Sequence, residues 1–317
     1  MIAPNVIARN LSEAGAFRPC ALAIGNFDGV HIAHRKLLQT TVEAARSAGV
    51  RPALLMFDPH PSCVVAPERA PRLLTSPEER STLIGEEGIE HVLIQPFTAD
   101  LARLTPEEFA MKFLHDGLGV RIVVVGENFR FGCKQAGDTE TLKKLGSRLG
   151  FEVRLLPTVT WRGRRVSSGE VRKLVLAGDV STAARLLRRP HAISGDIVKG
   201  HGIGSKQTVP TLNLQTDAQV IPARGVYITR TSDLGSDRRW NSITNIGYRP
   251  TFGNDDALSI ETFLLDPLEG ATPDRIRLEF LRRVREERKF ESPEALKAQI
   301  LRDVSRAKTF FRRVRLT

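Results

Sequence analysis

Between residues 20 and 190, short apolar runs alternate with segments in which apolar residues recur at helical spacing. Each run has the length and the content of β-branched residues that buried strands have. Strand–helix alternation of this kind predicts an α/β fold, a parallel sheet with helices on its faces. Such sheets bind ligands at the carboxyl ends of their strands. The predicted strands are Cys20–Ile24, Ala53–Phe57, His91–Ile94, Arg121–Val125 and Phe151–Leu156.

Helix boundaries can be read in the same region. Ser76 and Thr105 are each followed by Pro and, three residues after the cap, by Glu. This is the pattern of an N-cap with proline at the first helical position and a capping box. Gly49 and Gly150 stand where helix C-caps are expected.

After Pro190, Gly and Pro become frequent and apolar residues alternate with period two, which is typical of antiparallel strands. One helix, Ser292–Lys308, follows, and Leu296, Ile300 and Val304 are predicted to be its core-facing stripe. These features predict a small antiparallel β-barrel with a terminal helix. The predicted strands are Gly225–Arg230, Trp240–Ile246, Leu258–Leu265 and Arg275–Val284. The predicted domains are residues 1–188 and 189–317.

The chain has 317 residues, and its 47 Lys and Arg against 36 Asp and Glu give a formal charge of +11. This balance suits small polyanions such as nucleotides as well as nucleic acid, and a solvated basic surface would also produce it. No apolar run approaches the roughly 18 residues of a membrane span, and no signal-peptide pattern is visible. Cys20, Cys63 and Cys133 lack the spacing of a disulfide framework or a zinc site. A reduced, cytoplasmic setting is therefore expected.

The segment Gly25–His34 directly follows the first predicted strand and opens a helix. Its glycines allow a ligand to approach the backbone closely, and the helix N-terminus suits a phosphate. His31 and His34 are three residues apart, so both project from one face of the first turn and could stabilise charge on a phosphoryl group. Two alternatives remain open at this point: surface histidines that cap a helix, and a metal site, for which no third ligand is evident nearby.

The segment Gly-Asn-Phe-Asp-Gly-Val-His-x-x-His resembles the signature of the bacterial bifunctional riboflavin kinase/FAD synthetases. The resemblance continues in the same order along the chain, from about residue 21 to residue 311. It includes Phe57-Asp-Pro-His-Pro61, Gly126-Glu-Asn-Phe-Arg-Phe-Gly132, Ser167-Ser-Gly-Glu-Val-Arg172, Pro210-Thr-Leu-Asn213, Asn245-Ile-Gly-Tyr-Arg-Pro-Thr-Phe252 and Arg285-Glu-Glu-Arg-Lys-Phe290.

For the first domain the resemblance implies a nucleotidyltransferase-like fold that converts FMN and ATP to FAD and pyrophosphate. The histidine pair and Arg172 would act on phosphates, and Asn128 and Arg130 would face FMN together with Asp58 and His60. ATP would be bound by Gly25, Asn26, Phe27, Asp28, Gly29, Ser167 and Ser168. Spacing alone also fits Arg172 as an exposed helix arginine, and Phe129 and Phe131 as core residues.

For the second domain the resemblance implies phosphorylation of riboflavin by ATP. Thr211 and Asn213 would coordinate Mg²⁺ through oxygen atoms, although spacing alone would make them turn residues. The strand containing Glu261 is otherwise apolar, and period two puts Glu261 on the face of Phe263 and Leu265. A carboxylate there is costly unless it is exposed or functional, and the family's general base stands at this position. ATP would be bound by Gly200, Gly202, Gly204, Lys206, Asn245 and Arg249.

Ala33 departs from the family, which usually has Gly there, and its methyl group would crowd the adenine or ribose of ATP. One alternative is therefore that a single activity is retained, with riboflavin kinase the more robust of the two. Another alternative is a basic RNA-binding protein that uses the Arg-rich tail, although aromatic residues make up only 6% of the chain and no RNA-binding pattern is present. The expected partners are ATP, riboflavin and FMN, with no membrane, no nucleic acid, and a monomer or weak homo-oligomer.

Overall fold

A parallel sheet forms the centre of the N-terminal part of the chain. The structure is a computed structural model that describes residues 6–198, 211–249, 257–288 and 290–314. The strands of this part are β1 Val6–Ala8, β2 Cys20–Ile24, β3 Arg51–Asp58, β4 His91–Pro96, β5 Val120–Gly126 and β6 Glu152–Leu156, with a short hairpin of β7 Thr160–Trp161 and β8 Arg164–Arg165. Sheet order is β1-β4-β3-β2-β5-β6, and all neighbouring pairs are parallel.

Helices connect the strands of this sheet. They are α1 Ile32–Ala48, α2 Ser62–Val65, α3 Pro77–Glu86, α4 Ala99–Arg103, α5 Pro106–Phe109 and α6 Thr139–Leu149, with a π-helical turn over Ala110–Gly117. The predicted caps are confirmed. Ser76 accepts from the Glu79 N–H, and Thr105 forms a complete capping box with Glu108. Gly49 and Gly150 adopt left-handed conformations at the ends of α1 and α6, where a Cβ would be strained.

Two apolar clusters cover the two faces of the sheet, because alternate side chains of each strand point to opposite faces. Leu22 and Val123 belong to one cluster, and Ala23 and Val124 belong to the other. All four are fully buried. The continuous apolar runs of the central strands therefore match a sheet that is buried on both sides.

The C-terminal part forms a closed antiparallel barrel in the order β10-β13-β12-β11-β14-β9. Its elements are α7 Ser168–Leu176, α8 Val180–Leu187, β9 His191–Val198, β10 Thr211–Gln215, β11 Gly225–Asp233, β12 Arg239–Arg249, β13 Ala257–Leu264, β14 Arg275–Arg285 and α9 Pro293–Val314. The four predicted strands and the terminal helix are confirmed. Thr211 and Asn213 lie in a strand, so the interpretation of these residues as parts of a turn was wrong.

The barrel interior is partly polar. The hydroxyl groups of Thr229, Ser242, Thr244 and Thr262 form a chain of hydrogen bonds of 2.7–2.9 Å. All four residues are fully buried. Since each hydroxyl bonds to a neighbour, the interior carries these polar groups without leaving them unsatisfied.

The predicted core-facing stripe of the terminal helix is confirmed at Val304, which is half-buried and packs against apolar residues of β11 and β12, and it was wrong at Leu296 and Ile300. Leu296 and Ile300 are 41% and 39% exposed. The fully buried positions of α9 precede the predicted ones by one residue, and they are Gln299, Asp303, Ala307 and Phe311. Two of them are polar, and they are buried because they bond to each other, to Arg285 at the end of β14 and to Arg288 after this strand. A pattern based on apolar residues alone cannot identify such a face.

The chain divides into two compact units, Met1–Ser168 and Gly169–Thr317. The domain boundary between residues 188 and 189 would assign α7 and α8 to the first domain, and it stays a prediction. Among the helices that the structure describes, none is long and apolar enough to cross a membrane.

Candidate active sites

A cavity of about 300 Å³ lies at the carboxyl ends of β2, β5 and β6. The strand order reverses at β2, because β2 pairs with β3 on one side and with β5 on the other, so the connections that leave these strands run in opposite directions along the sheet. This is the position at which doubly wound sheets bind ligands. The residues predicted to be functional that line the cavity are Gly25, Phe27, His31, His34, Asn128, Ser167 and Ser168, and Ala33 and Phe129 also contribute.

The two histidines stack on each other at the start of α1. Their ring centroids are 3.6 Å apart, and His31 Nδ1 accepts a hydrogen bond from the His34 backbone N–H. This bond leaves the proton of neutral His31 on Nε2. Burial lowers the pKa of His31 to about 4 and lowers that of His34 well below its ordinary value. Both rings are therefore neutral near pH 7 and can offer N–H donors without a positive charge.

Of the two histidine side chains, that of His34 makes fewer of the hydrogen bonds that its ring nitrogens can form. Its Nδ1 is buried and has no hydrogen-bond partner among the residues that the structure describes. A buried polar atom without a partner costs about 1–3 kcal/mol. Such an atom beside a cavity is typical of a ligand site, because a bound group can supply the missing partner.

The loop between β2 and α1 holds two non-glycine residues in the left-handed region. Phe27 has φ of 50° and Val30 has φ of 42°, and both side chains are buried. Non-glycine residues in this conformation cost about 1–3 kcal/mol each and persist only where the surroundings hold them. The Phe27 ring lies against Gly25, where a Cβ would come within 3.2 Å of it. The buried ring therefore fixes the path of the backbone at the cavity.

Asp28 does not line the cavity but bonds the loop between β2 and α1 to the residues before α3. Its carboxylate accepts from the backbone N–H groups of Leu74 and Thr75 at 2.9 and 3.1 Å. It also lies 3.7 Å from the guanidinium of Arg80, and both side chains are 4% exposed. The Thr75 hydroxyl in turn accepts from the Gly29 N–H. Sequence reasoning missed Arg80, because nothing in its spacing distinguishes it from a surface arginine of α3.

Asn26 and His60 are joined by a hydrogen bond of 2.9 Å between the Asn26 amide and His60 Nε2. His60 Nδ1 accepts from the Ser62 N–H, so the neutral ring carries its proton on Nε2. The Asn26 atom at this distance is the amide nitrogen Nδ2, and a 180° rotation of the amide would instead offer its oxygen to the Nε2 proton. Asp58, also predicted on the FMN side, ends β3. These three residues are brought together by the carboxyl ends of β2 and β3, but they do not line the cavity.

Two aromatic residues of the loop after β5, Phe129 and Phe131, have different surroundings. Phe131 is 7% exposed and belongs to the core, where it packs on Phe109 and Phe129. Phe129 lines the cavity beside Asn128. Arg130 is exposed and lies 3.8 Å from Asp138, so it is not part of the cavity lining.

The segment that contains Ser167 and Ser168 meets the β2 loop. The Ser168 hydroxyl donates to the backbone oxygen of Asp28 at 2.9 Å. Since α7 begins at Ser168, Arg172 is the fifth residue of the helix and lies just beyond its first turn.

In the barrel, three predicted residues lie in one row across neighbouring strands. Glu261 of β13 is directly opposite Asn213 of β10 on one side and Asn245 of β12 on the other. Directly opposed residues have Cβ atoms about 4.5–5.5 Å apart and share a face of the sheet. All three are half-buried. The row therefore combines two amides and one carboxylate within a small area.

The surroundings of this row are partly polar as well. Ser259 donates to Glu261 Oε1 at 3.1 Å, and Phe263 is opposite Thr211 in the register. A Cβ at Gly247 would lie 2.9 Å from the carboxyl carbon of Glu287. In the sequence, Glu287 was recognised only as part of a motif. Gly247, which leaves room for the Glu287 side chain, was the residue that could have indicated its position.

Gly200, Gly202, Gly204 and Lys206 lie outside the described residues, and so does the side chain of Arg249. Among the described residues, no group of three or more His, Cys, Asp and Glu side chains is arranged to hold a metal ion.

Comparison with known proteins assigns the two parts of the chain separately. Residues 14–170 match the family model of FAD synthetase, and residues 187–311 match that of riboflavin kinase. A crystal structure described as a macrolide-efflux protein from Streptococcus pneumoniae is similar, with a TM-score of 0.87 at 25% identity. The match covers 96% of this chain and 99% of that one.

Curated relatives are similar over nearly the whole chain. The protein from Pseudomonas fluorescens is 38% identical over 92% of this chain and 93% of its own length. That from Escherichia coli strain K12 is 36% identical over 95% and 96%, and that from Bacillus subtilis strain 168 is 31% identical over 93% of each. All three are named bifunctional riboflavin kinase/FMN adenylyltransferase. The chain therefore belongs to the family of bifunctional riboflavin kinase/FMN adenylyltransferases.

Proposed function

We propose that the chain phosphorylates riboflavin with ATP to give FMN and then adenylylates FMN with a second ATP to give FAD and pyrophosphate. The observation that carries this proposal is that each family match contains its own polar site. Residues 14–170 include the cavity with the histidine pair, and residues 187–311 include the row around Glu261.

In the kinase step Glu261 acts as the general base. It removes the proton of the ribityl 5′-hydroxyl, and the oxygen attacks the γ-phosphorus of ATP while ADP leaves. The cross-strand position of Glu261 supports this role, because Asn213 and Asn245 on either side can orient the hydroxyl and a phosphate. A general base at this position contributes about 10²–10⁴-fold to the rate.

Thr211 and Asn213 would hold Mg²⁺ at this site. A hydroxyl and an amide oxygen are the hard donors that the ion prefers, and the Glu261 carboxylate opposite Asn213 adds negative charge. When bound, the ion neutralises charge on the phosphates of ATP. The predicted ATP ligands of this site are Gly200, Gly202, Gly204, Lys206, Asn245 and Arg249.

In the adenylyl transfer an oxygen of the FMN phosphate attacks the α-phosphorus of ATP, and pyrophosphate leaves in line. No protein nucleophile is required, so positioning and charge stabilisation provide the catalysis. His31 and His34 donate N–H groups to the phosphates of ATP, and Arg172 supplies a guanidinium. The neutral state of both histidines supports donation of hydrogen bonds rather than ion pairing.

The remaining predicted residues position the substrates. Gly25, Phe27 and Gly29 shape the backbone under ATP, Asn26 and Asp28 hold that backbone, and Ser167 and Ser168 close the site. Asp58, His60, Asn128 and Arg130 bind FMN. ATP, riboflavin and FMN are the proposed partners, and the cytoplasm, which supplies ATP and keeps thiols reduced, is the proposed location.

The test is a time course with purified protein, riboflavin, ATP and Mg²⁺, in which chromatography resolves the flavins. FMN should appear first and FAD should follow. FMN alone would restrict the chain to the kinase step, and neither product from a folded protein would contradict the proposal.

Variants then assign each step to its site. Glu261→Ala should lower FMN formation by at least about 100-fold and leave FAD formation from supplied FMN unchanged. The double variant His31→Ala with His34→Ala should show the reverse pattern, with a loss of about 100-fold or more in FAD formation. Glu279→Ala and His115→Ala are matched controls outside both sites. Loss of both activities in either variant would contradict the two-site model.

A further inference from the structure

A second cavity, of about 390 Å³, lies between the barrel and α9. It is called the arginine cleft here, and it is lined by Arg282, Arg283, Arg306, Arg313, Ser305 and Phe310 among others. The barrel side is formed by β11 and β14, whereas the row around Glu261 lies on β10, β12 and β13. The arginine cleft and the kinase site therefore share no strand.

The charge of the arginine cleft is largely uncompensated. Arg283 lies 3.7 Å from Glu286 and donates to the backbone oxygen of Arg224. Arg282, Arg306 and Arg313 have no ion pair or side-chain hydrogen bond within the part of the chain that the structure describes. Arginine keeps its charge at every physiological pH, so three unpaired guanidinium groups share one concave surface.

The residues of α9 at this cleft occupy one face of the helix. Positions 305, 306, 309, 310 and 313 are spaced by one turn or less, so their side chains project to the same side. Arginine forks match the oxygens of a phosphate bidentately. Phe310, together with Ile228 and Val284, offers an apolar surface against which a planar ring can lie.

We propose that the arginine cleft is a binding site for a phosphate ester that carries an aromatic ring system. The guanidinium groups of Arg282, Arg306 and Arg313 bind the phosphate, and the ring lies against Phe310. The site is distinct from the residues proposed for either transfer reaction.

The test uses the full chain and measures the rate of chemical modification at each arginine separately. Phenylglyoxal modifies arginine side chains, and mass spectrometry of peptides gives the rate at each position. FMN is the probe because it is a phosphate ester with a planar ring, and riboflavin is its phosphate-free control. With FMN at about ten times its dissociation constant, modification of Arg282, Arg306 and Arg313 should slow about tenfold. Exposed Arg46 of α1 should react at an unchanged rate.

A variant separates local binding from remote effects. Arg306→Ala with Arg313→Ala should raise the FMN concentration that half-protects Arg282 by at least about tenfold, which corresponds to about 1.4 kcal/mol. Lys308→Ala is the matched control, since Lys308 projects from another face of α9. The double variant should still form FMN and FAD, so a failure here is distinguishable from a failure of the proposed function.

Three outcomes would overturn the proposal. The first is no protection of these arginines by FMN, and the second is equal protection by riboflavin. The third is protection by a single-stranded RNA oligonucleotide at lower concentrations than FMN, which would indicate a nucleic-acid surface instead.

Discussion

At the residue scale, Ala33 lines the cavity of the first unit in which we propose that ATP binds. Ala33 is the second residue of α1 and lines the cavity beside the histidine pair. We expect Ala33→Gly to lower the KM for ATP in FAD formation severalfold, because removal of the methyl group makes room for the adenosine part of ATP. The kinase rate should not change. Steady-state kinetics with FMN and varied ATP would measure the effect.

The control for this substitution is Ala48→Gly at the exposed end of the same helix. Glycine in a helix costs up to about 1 kcal/mol relative to alanine, so both variants should lose some stability. Only Ala33→Gly should change the KM. An unchanged KM in Ala33→Gly would mean that the methyl group does not restrict ATP.

The sequence could predict that a residue belongs to the candidate site where that residue directly follows a predicted strand. His31 and His34 were found because they follow a glycine-rich turn after an apolar run. Arg80 was missed because its burial depends on Asp28, which is 52 positions away in the sequence and comes close only in the folded chain. Phe131 could not be separated from Phe129 by spacing, since both stand in one loop and only packing distinguishes them.

At the scale of elements, an ion pair fixes α9 on the barrel. Asp303 of α9 is 3% exposed, and its carboxylate lies 2.8 Å from the Nε of Arg285, which is 17% exposed. Gln299 donates to the other carboxylate oxygen. We expect Asp303→Ala to lower the free energy of unfolding of the C-terminal unit by about 3–5 kcal/mol, because it removes the carboxylate that neutralises a guanidinium group in a largely desolvated position.

Urea unfolding would measure this loss. In a Trp161→Phe background, fluorescence of the buried Trp240 reports on the barrel alone, since the chain has two tryptophans. Asp196→Ala is the matched control, because Asp196 and Arg275 form an ion pair whose side chains are 70% and 63% exposed. Exposed pairs contribute about 0–1 kcal/mol. Equal losses in the two variants would contradict the role of the Asp303 pair.

Elements were predictable where one physical signal dominates. The long apolar runs of the first unit identify its central strands, and capping patterns identify the starts of α3 and α5. β1 was missed because it has three residues and lies at a sheet edge. β10 was missed because only two of its five residues are buried. The inward face of α9 was predicted only at Val304, because this face also carries Gln299 and Asp303, which only their partners make compatible with burial.

At the scale of the whole molecule, the histidine pair proposed for the adenylyl transfer and the general base proposed for the phosphorylation belong to different compact units. His31 and His34 lie in the first unit and Glu261 lies in the second. FMN is the product of one unit and the substrate of the other. If FMN is released between the steps, a chain that lacks one activity can be complemented by a chain that lacks the other.

We therefore expect a mixture of Glu261→Ala and the His31→Ala, His34→Ala double variant to form FAD from riboflavin, although neither protein does so alone. The rate should show a lag while free FMN accumulates, and it should rise with the concentration of both proteins. With the wild-type chain and labelled riboflavin, a pool of unlabelled FMN should dilute the label in FAD to the same extent as in the mixture, because both draw on FMN in solution. A mixture that accumulates FMN but forms no FAD would contradict the expected complementation. If unlabelled FMN leaves the label of wild-type FAD undiminished, FMN passes between the two steps without release. The two units would then have to work as one enzyme rather than as two enzymes on one chain.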